Sequence, residues 1–199
     1  MPLLRTTTVQ DVRDQWASLC GLDSTNVITD DATAFIEFLN LCFAKVWIKM
    51  PWSFATDVGS FSTDTDGKID LSANSTIRDI LDVYKEDILK NPDSVVYSYS
   101  INQNDVYVTA APSATVYLHY RTQETEFTST LTTTLPYELK SYLSYQASAD
   151  WLASEGQEQK SMARQAKAEE ILMDLIDNFE RQQQQTAQVR VGTRQLGVR

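Results

Sequence analysis

The chain has 199 residues, 42% of them apolar, and a net charge of −10 at neutral pH, so it can build one sizeable core, or one core with a smaller lobe, and is ill-suited to grip nucleic acid nonspecifically. Its longest apolar stretch, residues 35–48, is interrupted by Glu37, Asn40 and Lys45 and falls short of the about 20 residues that cross a bilayer. Residues 1–8 hold no long apolar run, so a soluble chain made in the cytoplasm without a secretory leader is expected.

Four helical patterns frame a β-rich middle. Val9, Val12, Trp16 and Leu19 recur at helical spacing over residues 8–19, with Thr8 as N-cap and Gly21 as terminator. Residues 30–50 form the second helix, capped by Asp30 or Asp31 and stopped by Pro51. It carries two apolar stripes, Phe35-Leu39-Cys42-Val46-Met50 and Ile36-Phe43-Trp47, and both must be buried, in a core or against another subunit.

From residue 52 to 134 Val, Thr, Tyr and Ser dominate. Strands are expected at 58–63, 68–71, 77–84, 95–101, 106–110 and 115–121, with tight turns at Asp64-Thr65-Asp66-Gly67 and Asn102-Gln103-Asn104-Asp105. Pro136 then opens a third helix to residue 154, with Leu139, Leu143, Ala147 and Trp151 on one face. Gly156 breaks it, and a fourth helix over 157–185 packs back as an antiparallel partner. Its apolar stripe reads Met162, Ala166, Leu172, Leu175, Ile176 and Phe179. Residues 181–199 carry Arg181, Arg190, Arg194 and Arg199 and no acid, and residues 186–199 hold too few large apolar groups to fold alone. The expected fold is α+β: a helical bundle of about four helices (1–51 and 135–185), an inserted antiparallel β-rich domain (52–134) and an extended C-terminal tail (186–199).

No residue pattern points to catalysis, a cofactor or a metal. His119, the one histidine, sits in a strand pattern beside Tyr117 and reads as a rim residue; no Gly-x-Ser-x-Gly elbow accompanies it. Asp64-Thr65-Asp66-Gly67-Lys68-Ile69-Asp70 resembles half of a calcium loop. Aligning Gly67 with that loop's glycine puts Ala73 where the bidentate Glu belongs, so it reads as a hairpin turn. Cys20 and Cys42 lie in helices and read as small thiols of the interior.

Two stretches carry a family resemblance. One is Ala44-Lys45-Val46-Trp47-Ile48-Lys49-Met50-Pro51-Trp52-Ser53-Phe54. The other is Leu135-Pro136-Tyr137-Glu138-Leu139, then Ala147-Ser148-Ala149-Asp150-Trp151-Leu152, Gly156-Gln157 and the long helical run 163–185. In this order they resemble the head-to-tail adaptor (connector, neck or tail-tubular-A-like) proteins of tailed bacteriophages. The resemblance implies a structural virion protein and not an enzyme: a ring, usually of twelve copies, in the neck between head and tail. Its partners would be the portal protein above and a tail or nozzle protein below, with genomic DNA passing through the lumen unread. The tail would dock on the portal through Arg190, Arg194, Leu196 and Arg199. Phe35, Phe43, Trp47 and Trp52 are the candidate contacts between copies, and carboxylates lining the lumen would repel DNA phosphates. The rival readings are another tail-completion or stopper protein, and a host-binding β module using Tyr97, Tyr99, Tyr107, Tyr117 and Tyr120.

Overall fold

The computed structural model describes residues 5–23, 29–124, 126–128 and 130–195. The chain divides into two compact units, Met1–Met50 with Glu126–Arg199, and Pro51–Thr125.

In the first unit, strand β1 (Thr6–Thr8) pairs antiparallel with β9 (Thr134–Pro136), Thr7 opposite Leu135. Helix α1 (Val9–Cys20) follows at once because Thr8 caps it: Asp11 N–H donates to Thr8 Oγ1 (3.1 Å), and Asp11 Oδ2 accepts from Thr8 N–H (2.9 Å). Its end is closed by Gly21 N–H on Ser18 O and Leu22 N–H on Ala17 O. Helix α2 (Thr29–Trp47) follows. After a 3-10 turn at Tyr137–Leu139 comes α3 (Lys140–Ser154), then α4 (Glu158–Gln195).

Helix α3 is the hub, and α1, α2 and α4 all pack on it. Small side chains make this possible: Ser144, Ala147 and Ser148 are fully enclosed. Ser144 Oγ donates to Val12 O of α1 (3.2 Å), and Ser161 Oγ of α4 donates to Ala149 O of α3 (2.8 Å). The aromatic centre is Trp16, with Phe35 at 5.0 Å and Trp151 edge-on at 5.8 Å. Between α3 and α4 Gly156 turns the chain at φ +71°, a left-handed backbone that suits glycine.

The second unit is all antiparallel strand. One sheet has the order β2 (Thr56–Ser62), β8 (Thr115–Thr122), β4 (Ile77–Tyr84), β5 (Val96–Tyr97). The other has the order β3 (Lys68–Asp70), β7 (Asp105–Tyr107), β6 (Ser100–Asn102). Ile69, Val83, Val106, Val108, Val116 and Leu118 form its core, each 3% exposed or less.

Three findings correct the expected architecture. Among the described residues the fold is α+β with four α-helices and three antiparallel sheets, not a plain helical bundle carrying all its strands in one insertion. The β1–β9 sheet belongs to the unit that holds the helices. Pro136 sits in a strand there, which is tolerated because a two-stranded sheet leaves each strand an unpaired side. Second, residues 186–195 are not extended: α4 runs to Gln195. Gln, Ala and Arg are good helix formers, no proline interrupts, and extending an existing helix avoids the cost of a new nucleus. Third, the expected strand 95–101 is two strands in different sheets, since Tyr97 pairs with Val83 and Ile101 with Val106.

Candidate interaction surface

The side chains expected between copies lie inside. Phe35 is fully enclosed, Phe43 is 3% exposed, Trp47 6% and Trp52 4%. Phe43 packs on Trp47 (5.0 Å) and edge-on to Phe127 (4.8 Å), and Trp52 stacks on Phe54 (5.7 Å). Asn40 holds the 126–128 segment over α2: its Nδ2 donates to Phe127 O (2.9 Å), and its Oδ1 accepts from Phe127 N–H (2.7 Å). Of the two stripes, Phe35, Leu39, Cys42, Phe43, Val46 and Trp47 are therefore buried within this chain, while Ile36 and Met50 stay half-buried, and the strongly exposed apolar side chains lie elsewhere.

Among the described residues of this unit, the most exposed of those are on α4. At 1.5 Å per residue, its 38 residues make a rod of about 57 Å, against about 22 Å for the 15 residues of α3. Among its described side chains Ser161 and Ala168 are buried, with Leu172, Leu175 and Phe179 half-buried on the same face. Met162 and Met173 lie to one side, 70% and 62% exposed. The opposite side carries Glu170, Asp174 and Asp177, all exposed at i, i+4, i+7 spacing. The rod thus has a core face, a flank where Met162 and Met173 alternate with Glu169 and Glu180, and a charged back on which Lys167 pairs with Glu170 (2.7 Å). The same unit also exposes Leu41, Ile48 and Tyr137. Reading Met162 as part of the core stripe missed this flank; the true face turns on Ser161 and Ala168, whose small size gives no apolar signal.

Arg164 fixes the rod near its start. Its Nη2 donates to Leu19 O (3.1 Å), an open carbonyl in the last turn of α1, and its guanidinium lies 5.8 Å from the Tyr145 ring. Arg190 and Arg194 are on the final turns of α4, whereas Leu196 and Arg199 lie outside the described residues.

The candidates for chemistry resolve into structure. Asp64 Oδ1 accepts from Asp66 N–H (2.9 Å) and Lys68 N–H (2.8 Å), so the carboxylate builds the hairpin turn. His119 pairs across strands with Val58 and Asp82; its Nδ1 is 3.9 Å from Asp82 Oδ2, and burial lowers its pKa against the pull of that carboxylate. Cys42 Sγ donates to Asp150 Oδ2 (3.4 Å), and burial raises its thiol pKa strongly, with Asp150 adding to the effect. Cys20 is likewise raised, to about 12, by burial. Both thiols are thus the protonated, unreactive form. Among the described residues no three His, Cys, Asp or Glu side chains group as metal ligands, and no helix is long and apolar enough to cross a membrane.

No protein-family model matches this chain, and no curated protein matches it.

Proposed function

We propose that this protein is a structural head-to-tail adaptor of a tailed bacteriophage: one of a ring of copies, usually twelve, seated under the portal in the virion neck and acting without catalysis. The observation that carries this reading is the long α4. A helix much longer than its intramolecular partner, with Met162 and Met173 exposed among charged residues along one flank, suits a subunit packed side by side with copies of itself. Contact made head to tail between copies closes into a ring when the rotation allows it. Met162 and Met173 supply a flexible, polarizable contact surface. Asp174 and Asp177, beside the Lys167–Glu170 pair, would face the lumen, where they repel DNA phosphates and let the genome slide past.

The cationic C-terminal stretch, with Arg190, Arg194 and Arg199, would engage acidic groups or carbonyls of the portal. Many weak contacts on one ring act together, so each can be modest. The 51–125 unit would meet the tail or nozzle protein below.

Mass photometry with and without portal tests the assembly. Met162→Glu with Met173→Glu is expected to leave the melting temperature within about 2 °C of the parent, since both side chains are exposed, and to abolish portal-dependent rings. Removing residues 186–199 is expected to leave folding intact and abolish portal binding. Rings that form normally from the double variant reject the flank as the contact, and unchanged portal binding by the truncated chain rejects the docking role of its end.

A further inference from the structure

The 51–125 unit carries a groove of about 460 Å³, within the range of small-ligand sites. It lies between the first half of β4, the 71–75 loop and the β6–β7 turn, and has an aliphatic floor of Leu71, Ile77, Ile80, Ile101 and Val106. The charged groups on its wall are neutralised within the protein. Arg78 pairs with Glu124, and Asp79 with Arg121 at 2.7 Å. Ser72 N–H donates to Asp70 Oδ1 (2.8 Å).

What remains for a ligand is a set of uncharged polar groups. The carboxamides of Asn74, Gln103 and Asn104 and the hydroxyl of Ser75 line the groove, and none of them bonds to another described residue. Asn74 is half-buried and its backbone is fixed, its N–H on Leu71 O (2.8 Å) and its carbonyl accepting from Ile77 N–H (3.1 Å). Leu71 N–H in turn donates to Asn104 O (2.9 Å), tying the loop to the β6–β7 turn. Gln103 stands at φ +56° in the two-residue turn between Asn102 and Asp105. The two-residue hairpin turn itself calls for a positive φ there, which glycine would adopt freely and a residue with a side chain adopts under strain.

We propose that this groove binds an uncharged carbohydrate, of the size of a disaccharide, through Asn74, Gln103 and Asn104. Each carboxamide offers donors and an acceptor together, which matches sugar hydroxyls that both donate and accept. The aliphatic floor matches the C–H face of a pyranose. Paired charges on the wall and the acidic chain disfavour an anion. The site is independent of ring formation and stands whether or not the adaptor reading does.

The test is a heteronuclear NMR titration of the labelled full chain with maltose, cellobiose and diacetylchitobiose, with trialanine and inorganic phosphate in parallel. At least one disaccharide should shift backbone resonances of residues 71–80 and 101–106 and the side-chain amides of Asn74, Gln103 and Asn104. Gln103→Gly should fold at least as well as the parent and weaken binding about two- to tenfold, the value of one hydrogen bond, and Asn74→Ala should weaken it similarly. The proposal is overturned if no disaccharide moves these resonances at tens of millimolar, if both variants bind as the parent does, or if only the peptide or phosphate binds.

Discussion

At Gly67 a single methyl group would be too much. Its φ is +78°, and a Cβ built there would lie 2.4 Å from Val108 O, whose own residue donates its N–H to Gly67 O at 2.7 Å. Gly67→Ala should therefore destabilise the protein by about 1–3 kcal/mol, read as a lower urea midpoint. Asp11 shows a different single-residue effect. Side-chain and backbone hydrogen bonds from Thr8, and one from Thr7, hold its carboxyl at about 2, below the ordinary 3.8. Its stabilising effect is complete above pH 4 and fades as pH falls from about 4 to about 2. Asp11→Asn should flatten the acid limb of the stability curve over that interval. His119 acts at higher pH. Its pKa is lowered by burial, so the unfolded chain binds the proton more readily, and stability falls as pH drops below the ordinary 6.5. His119→Gln should remove that part of the pH dependence, and an unchanged slope in thermal melts between pH 7 and 5 would show that the imidazole does not titrate this way.

Among elements, α1 ends without a basic residue in its last turn, and Arg164 of α4 supplies the missing charge from outside. Arg164→Ala should cost about 1–3 kcal/mol and speed hydrogen exchange at the end of α1, whereas Lys should restore only part, lacking the planar fork. Much at this scale could be read from residues alone. Thr8 three before Asp11, the Asp-Thr-Asp-Gly turn and Gly156 are local signals, and local chemistry determines what they do. What escaped depended on distant partners. The alternation in Val96-Tyr97-Ser98-Tyr99-Ser100-Ile101 looks like one strand, and only pairing with Val83 on one side and Val106 on the other divides it. The two stripes of α2 are plain in the sequence, but not that Trp16, Phe127 and the residues of α3 cover them, so from residues alone Phe35, Phe43 and Trp47 read equally as core and as candidate contacts between copies. Strands of three residues such as β1 and β9 are too short for periodicity to reveal.

On the scale of the molecule, each unit has a core of its own. Leu143 is fully enclosed in the first and Val83 in the second. Leu143→Ala should cost about 2–5 kcal/mol, and Val83→Ala somewhat less for its smaller side chain. In hydrogen exchange, the loss of protection should begin within the unit that carries the substitution. A uniform loss over both units would mean that they unfold as one cooperative body.

The fastening of α4 has a mechanical consequence. Ser161 and Arg164 pin its first two turns, Ala168, Leu172, Leu175 and Phe179 hold it as far as residue 179, and the last turn, at Gln195, lies about 24 Å beyond that. Such a rod is a cantilever: tilting it by about 5° where the packed stretch ends sweeps the free end through about 2 Å, enough to break a hydrogen bond. The packing of residues 161–179 thereby decides where the arginines further along can land, and reshaping that face is a way to re-aim them without touching them.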